Sequence, residues 1–140
     1  MSLKAFLAEN ALQTEQVEYV ASDRFVENGK PVPWVIRALG SAEDEALRKM
    51  CTKRTPVFGK KGQYQNELDV LEYMAKLGAA CTVYPNLNDK ELQDSYHVMG
   101  GEELLKKMLT AGEYNLYIAK VQQVCGFDRS FQEDVDEAKN

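Results

Sequence analysis

The sequence predicts an α+β fold, an N-terminal β-hairpin packed on a bundle of about five or six helices. Two patterns predict it. Residues 17–39 alternate apolar and other side chains with period two around an Asn-Gly turn, and from Ser41 onward the apolar residues recur at helical spacing behind capping residues. Composition agrees: 140 residues, 44% hydrophobic and 28% charged, are enough for one packed core and exclude a disordered, collagen-like or disulfide-dense chain. Residues 1–127 are expected to make the single domain and residues 128–140 an acidic C-terminal tail, frayed or carrying a short helical turn.

Taken in order, Ser2 can cap a short helix over 2–11, whose Leu3, Phe6 and Leu7 recur at helical spacing and predict a lid on the core. Val17, Tyr19 and Ala21, then Val32, Trp34 and Ile36, read as the two strands of a hairpin. Asn28-Gly29 between them suits the positive φ angles of a tight turn. Pro31 and Pro33 cannot donate to a ladder, so the second strand is expected at an edge, or with its first residues unpaired.

Ser41 to Asp44 resembles a capping-box start, with Ala46, Leu47, Met50 and Cys51 as the apolar stripe of a helix that stops before Pro56. Thr55–Gln65 carries two glycines, Lys60-Lys61 and no periodicity, and reads as the longest loop. A central helix from Asn66 to about Tyr84 is apolar on more than one face, from Leu68 and Leu71 to Cys81 and Thr82. Its small residues Gly78-Ala79-Ala80 invite a close neighbour, and Pro85 enforces a stop. Asn88 can cap the next short helix, with Glu91 at its third position and Leu87 and Leu92 as a hydrophobic staple. Gly100-Gly101 separates this helix from one whose core face is Leu104, Leu105, Met108 and Leu109. Thr110 and Glu113 form a capping box for the last helix, which carries Tyr114, Tyr117, Ile118, Val121 and Val124. It stops at Gly126, with Phe127 expected to pack back on Val121.

The chemistry-bearing residues are sparse. The single histidine, His97, reads as a charge partner of a helix C-terminus rather than half of a Cys–His dyad. Cys51, Cys81 and Cys125 have neither disulfide-framework nor metal-ligand spacing and read as small buried hydrophobes, so no metal or cofactor is expected. The acidic pairs fall on solvated faces or in first helical turns. Gly59-Lys60-Lys61-Gly62 lacks the spacing of a phosphate loop. A net charge of −5 repels nucleic acid at long range. The one basic concentration, Arg48, Lys49, Lys53, Arg54, Lys60 and Lys61, is interleaved with Phe58 and Tyr64, and nucleic-acid binding there is the minority reading. Phe58, Tyr64, Lys60 and Lys61 are the candidate partner-binding residues, since aromatics on a long polar loop lack a periodic reason to be buried. There is neither a completed signal peptide nor a run of apolar residues long enough for a membrane helix, so a cytoplasmic protein is expected.

The series SLKAFLAENA, SDRFVENGKPVPWVIRAL, EDEALRKMCTKR, PVFGKKGQY, AACTVYPNLNDKELQDSY and LLKKMLTAGEYNLYIAKVQQVCGFD resembles, end to end, the XkdN-like phage tail assembly chaperones of Bacillus prophages and related elements. The resemblance implies a non-enzymatic protein of the bacterial host cytoplasm that acts during tail morphogenesis and is absent from the finished particle. Its implied client is the tape measure protein, with other tail proteins or a second copy of the chain as further partners. Beside it stand two other readings, a stable component of the tail or baseplate and a nucleic-acid-binding regulator. His97 departs from the glycine expected of the family there, which argues against a left-handed stop at that point.

Overall fold

A computed structural model describes residues 1–127, so the expected acidic tail over 128–140 lies outside the described residues. Within them the fold is mixed, with five α-helices and three small antiparallel sheets. Strands β1 (Val17–Tyr19), β2 (Val26–Glu27), β3 (Lys30–Pro31) and β4 (Trp34–Ile36) precede α1 (Ser41–Cys51). Strands β5 (Thr52–Pro56) and β6 (Tyr64–Leu68) lead into α2 (Val70–Cys81) and β7 (Thr82–Tyr84). Helices α3 (Lys90–Ser95), α4 (Gly101–Met108) and α5 (Ala111–Val124) complete the described chain.

The predicted hairpin is present but split. Its tip is the β2–β3 pair, closed by Asn28 and Gly29 at φ 52° and 77°, the two positive angles that only such a dipeptide adopts cheaply. Its base is the antiparallel pairing of β1 with β4, with Tyr19 opposite Trp34 and Val17 opposite Ile36. Of the two expectations for the second strand, the unpaired start forms, with Val32 and Pro33 outside any strand, and the edge position does not. β4 is the centre of the order β1-β4-β7, because both prolines lie before Trp34 and leave its far side free to pair with Thr82–Tyr84. Those three residues were expected to be helical. The helix ends at Cys81 instead, since Thr, Val and Tyr before a proline favour extended backbone and the sheet needs a third strand.

Three more elements depart from expectation. The segment before residue 17 makes only a 3-10 turn over Lys4–Phe6, held by Asn10 Nδ2 donating to the Lys4 carbonyl at 2.7 Å. All of residues 1–16 are exposed, Leu3, Phe6, Leu7 and Leu12 included, so this segment is no lid. The expected loop over 55–65 shrinks to residues 57–63, the tip turn of a β5–β6 hairpin in register from Thr52 opposite Leu68 to Pro56 opposite Tyr64. That hairpin consumes Asn66 to Leu68, so α2 starts at Val70, where Asp69 Oδ1 accepts from the Glu72 N–H at 3.1 Å. Helix α1 is preceded by Gly40 and has no side-chain cap. Asp44 is drawn away by Tyr73, whose hydroxyl donates to it, and by Arg48 Nε at 2.9 Å. Of its predicted stripe, Leu47 and Cys51 face inward while Ala46 and Met50 are exposed.

The later helices follow their local signals. Asp89, one residue past the expected Asn88, caps α3 through the Leu92 N–H. The chain then turns at His97, φ 57°, with the His97 N–H on the Asp94 carbonyl and the Val98 N–H on the Gln93 carbonyl. This is a left-handed Schellman stop, made by histidine despite the expectation against it. Leu104, Leu105, Met108 and Leu109 are all buried, and the Thr110–Glu113 capping box is complete. Gly126 turns the chain out of α5 at φ 88°, but Phe127 is exposed rather than packed on Val121.

The core lies where the β1-β4-β7 sheet meets α2, α4 and α5. Trp34 and Tyr117 meet edge to face at 5.1 Å between ring centres, flanked by Phe25 and Tyr19. The Thr82 hydroxyl donates to the Gly78 carbonyl at 2.7 Å and shares a 2.6 Å hydrogen bond with the Tyr117 hydroxyl. The close approach invited by Gly78 occurs: a Cβ there would lie 2.7 Å from Ile118 Cδ1 and 2.9 Å from Leu105 Cδ2. Among the described residues every buried side-chain nitrogen and oxygen has a hydrogen-bond partner.

Arg24 joins the hairpin to the helices, donating to the Met108 carbonyl at 2.6 Å and to Glu113 Oε1 at 2.7 Å. The Arg24 guanidinium, helped by the Ser22 hydroxyl and the Thr110 N–H, holds the Glu113 carboxyl at about 2, below its ordinary 4.5. A carboxylate whose folded value is depressed stabilises the fold above pH 4.5, and that share is lost as pH falls toward about 2. Glu113→Gln should therefore lower the urea midpoint at neutral pH, with the gap to the unsubstituted protein closing over that window. A gap that persists at the acid end would refute the ionic origin. At Gly78, alanine should lower the melting midpoint modestly, because its Cβ would press on two buried side chains at an overpacking cost of about 1–3 kcal/mol that the helix propensity gain of about 1 kcal/mol only partly offsets. Gly78→Leu should lower it sharply by overpacking, at a cost of typically about 1–3 kcal/mol or more.

Candidate functional site

The β5–β6 hairpin is an arm rooted on the domain at its base, where the Asp69 N–H donates to the Cys51 carbonyl at 2.8 Å and Leu68 packs against the core. Its strands are polar on both faces and almost wholly exposed, which is why they carry no alternation that a sequence reading could detect. The tip is closed by the Val57 N–H on the Gln63 carbonyl and by Gly59 and Gly62, both at positive φ. Phe58 sits there fully exposed, at 101% of its reference area. Lys60 and Lys61 flank it, both exposed. Tyr64 begins β6 and is half exposed, with the Arg54 guanidinium 4.2 Å above its ring. The four residues singled out by sequence thus share one arm, three of them in the tip turn and Tyr64 at its neck.

Apart from Arg54, which lies over the Tyr64 ring, the rest of the basic cluster is neutralised locally. Arg48 pairs with Asp44 at 2.9 Å, Lys49 with Glu45 at 3.3 Å, and Lys53 bridges Glu72 at 3.0 Å and Asp69 at 3.1 Å. Those two carboxylates raise the Lys53 ammonium above its ordinary value, Glu72 most, while the Glu72 N–H and then Lys53 lower Asp69. No ion pair within the described residues involves Lys60 or Lys61. A continuous basic face of the kind that tracks a phosphate backbone is therefore not assembled among them.

Where the arm meets α2 a shallow groove of about 330 Å³ opens between Lys53, Thr55, Glu67, Leu68, Val70 and Leu71. Leu71 was expected in the core stripe of the central helix. It is 84% exposed, because α2 begins after the arm and its first turn has no neighbour on that side. Sequence reasoning missed this apolar shelf; the shift of the helix start to Asp69 is the signal that would have found it. His97 and the three cysteines take no part, and no group of three or more His, Cys, Asp or Glu suited to a metal occurs among the described residues. No helix among them is long and apolar enough to cross a membrane.

The described residues thus make a helical body with a projecting, charged and aromatic arm. Residues 3–139 match the model of the phage XkdN-like tail assembly chaperone proteins, and the chain belongs to that family. It is 32% identical to the uncharacterized protein YqbN of Bacillus subtilis and 26% identical to the phage-like element PBSX protein XkdN of the same organism, in both cases over 99% of this chain and 93% of the relative. The crystal structure of YqbN superposes with a TM-score of 0.77 at 28% identity, over 90% of this chain and 97% of that one.

Phe58→Ala combined with Tyr64→Ala removes no core packing and one exposed cation–π contact worth about 0.5–1 kcal/mol. The melting midpoint should fall by no more than about 4 °C, against a far larger drop for Trp34→Ala, whose removal from the core costs about 3–5 kcal/mol. A drop in the double variant as large as that of Trp34→Ala would assign the arm to the stability of the fold.

Proposed function

We propose that this chain is a non-enzymatic chaperone that holds the tape measure protein during tail assembly in the host cytoplasm, using the β5–β6 arm and the apolar shelf at its root. The observation that carries this reading is the separation of surfaces: Phe58, Tyr64, Val70 and Leu71 are exposed on one projection and its root, while the core is complete without them. A long helical client made before its tube exists presents an apolar stripe that aggregates unless covered. An aromatic tip and a leucine shelf supply apolar contact of the kind that such a stripe accepts, and Lys60 and Lys61, in no ion pair among the described residues, can meet acidic side chains flanking it. Release must follow when tube subunits polymerise, and a small, partly polar contact surface supports exchange better than a large obligate interface.

Co-expression tests the proposal. The tape measure protein should be mostly insoluble alone, soluble with this chain, and again insoluble with the Phe58→Ala, Tyr64→Ala, Leu71→Ser variant. If the client is equally soluble alone, or never co-purifies even at low salt, the assignment falls; recovery of the chain in purified particles would establish the structural-component reading instead.

A further inference from the structure

The sequence gives no spacing signal that pairs any two cysteines, yet the fold brings two of them into contact. Cys81 is the last residue of α2 and Cys125 the C-cap of α5. Their sulfurs lie 3.7 Å apart across the seam between these helices. A disulfide bond is about 2.05 Å long, so a closure of about 1.7 Å, within reach of side-chain torsions, would join them. The two thiols also differ in access. Cys81 is fully buried and Cys125 is half-buried, whereas the third cysteine, Cys51, is fully buried.

We propose that Cys81 and Cys125 form a reversible thiol-oxidation site that takes a low-molecular-weight disulfide, such as that of glutathione, and closes into a disulfide between the ends of α2 and α5. Cys125 is the attacking group, because it is the member of the pair that solvent reaches and because the hydrogen bond it shares with Cys81 favours its thiolate. The Cys125 thiolate, its proton given to solvent, attacks one sulfur of the small disulfide. A mixed disulfide forms on Cys125 and one small thiolate leaves. The Cys81 thiol then loses its proton and attacks Cys125 Sγ, forming the internal bond and expelling the second small thiolate. Two protein thiols are oxidised, one small disulfide is reduced to two thiols, and an excess of the reduced thiol reverses the sequence.

The bond has a mechanical meaning. Cys81 is also tied to the sheet, its carbonyl accepting from the Arg37 N–H at 2.8 Å, while the Arg37 side chain donates to the Ala80 carbonyl at 3.1 Å. Oxidation would fasten the end of α5 to the junction of α2 with the sheet, one residue before the chain turns away at Gly126. It closes a chain segment spanning 44 positions, which restricts the unfolded chain and stabilises the folded one.

The experiment uses the whole chain, fully reduced, incubated under native conditions with oxidised glutathione and quenched with N-ethylmaleimide in denaturant, so that every free thiol is alkylated. Intact mass and peptide mapping should show a species two hydrogens lighter, with Cys51 the sole alkylated thiol, a linked Cys81–Cys125 peptide pair and a melting midpoint raised by several degrees. Cys81→Ala should stall at a glutathione adduct on Cys125 that forms at least about tenfold faster than any adduct on Cys51. Three alkylated thiols at the end of the incubation, a lasting adduct on Cys125 in the unsubstituted protein, or a linkage that includes Cys51 would each overturn the proposal. The peptide map of the unsubstituted protein decides the matter even where Cys81→Ala fails to fold.

Discussion

The fold depends on where the Tyr117 side chain sits. Its ring closes on Trp34 from the central strand and lies beside Tyr19 from the neighbouring one, while its hydroxyl meets Thr82, whose own proton goes to Gly78 of α2. One side chain of α5 therefore joins two strands, the strand that follows α2, and α2 itself. A buried hydroxyl without a partner is costly, so this chain of hydrogen bonds fixes the rotation of α5 as much as the aromatic contact does. Gly78 completes the constraint. Because it has no side chain, Ile118, the residue after Tyr117 in α5, and Leu105 of α4 can close on α2 at the level where Thr82 returns its hydrogen bond.

This concentration of constraint at one end of the helices leaves the other features unburdened. The arm is attached through Cys51 and Asp69, with Leu68 against the core, and is otherwise held by its own ladder and by ion pairs at its root. A two-stranded ribbon is marginal in isolation, and this one is stabilised chiefly by the two helices that it interrupts. Family membership places the protein among tail assembly chaperones, and its fold divides into a demanding core and an undemanding projection.

What was legible in the sequence was local. Asn28-Gly29 announces its turn, Thr110 and Glu113 announce their helix, and Leu104 to Leu109 announce a buried face, because each signal acts within a few residues of itself. Thr82–Tyr84 and the β5–β6 pair were not legible, since a short strand is made by its distant partner and a strand exposed on both faces has no apolar rhythm. Reading Asn66 onward as helix followed from that, and with it Leu71 was assigned to the core. The opposite error was made at the N-terminus, where Leu3, Phe6 and Leu7 have helical spacing but nothing to pack on. Phe58, Lys60, Lys61 and Tyr64 were recognisable as exposed because a segment with glycines and no period has no reason to be inside; the arm that carries them was invisible.

The arm's geometry also bears on how such a protein can change over evolutionary time. Five paired positions at about 3.3 Å each carry the tip turn about 17 Å away from the root, beyond the influence of the core's packing. Substitution at Phe58, Lys60 or Lys61 is therefore free of the compensations that a change at Trp34 or Tyr117 would demand. A lineage can retune its tip one residue at a time, while the body that supports it stays as it is.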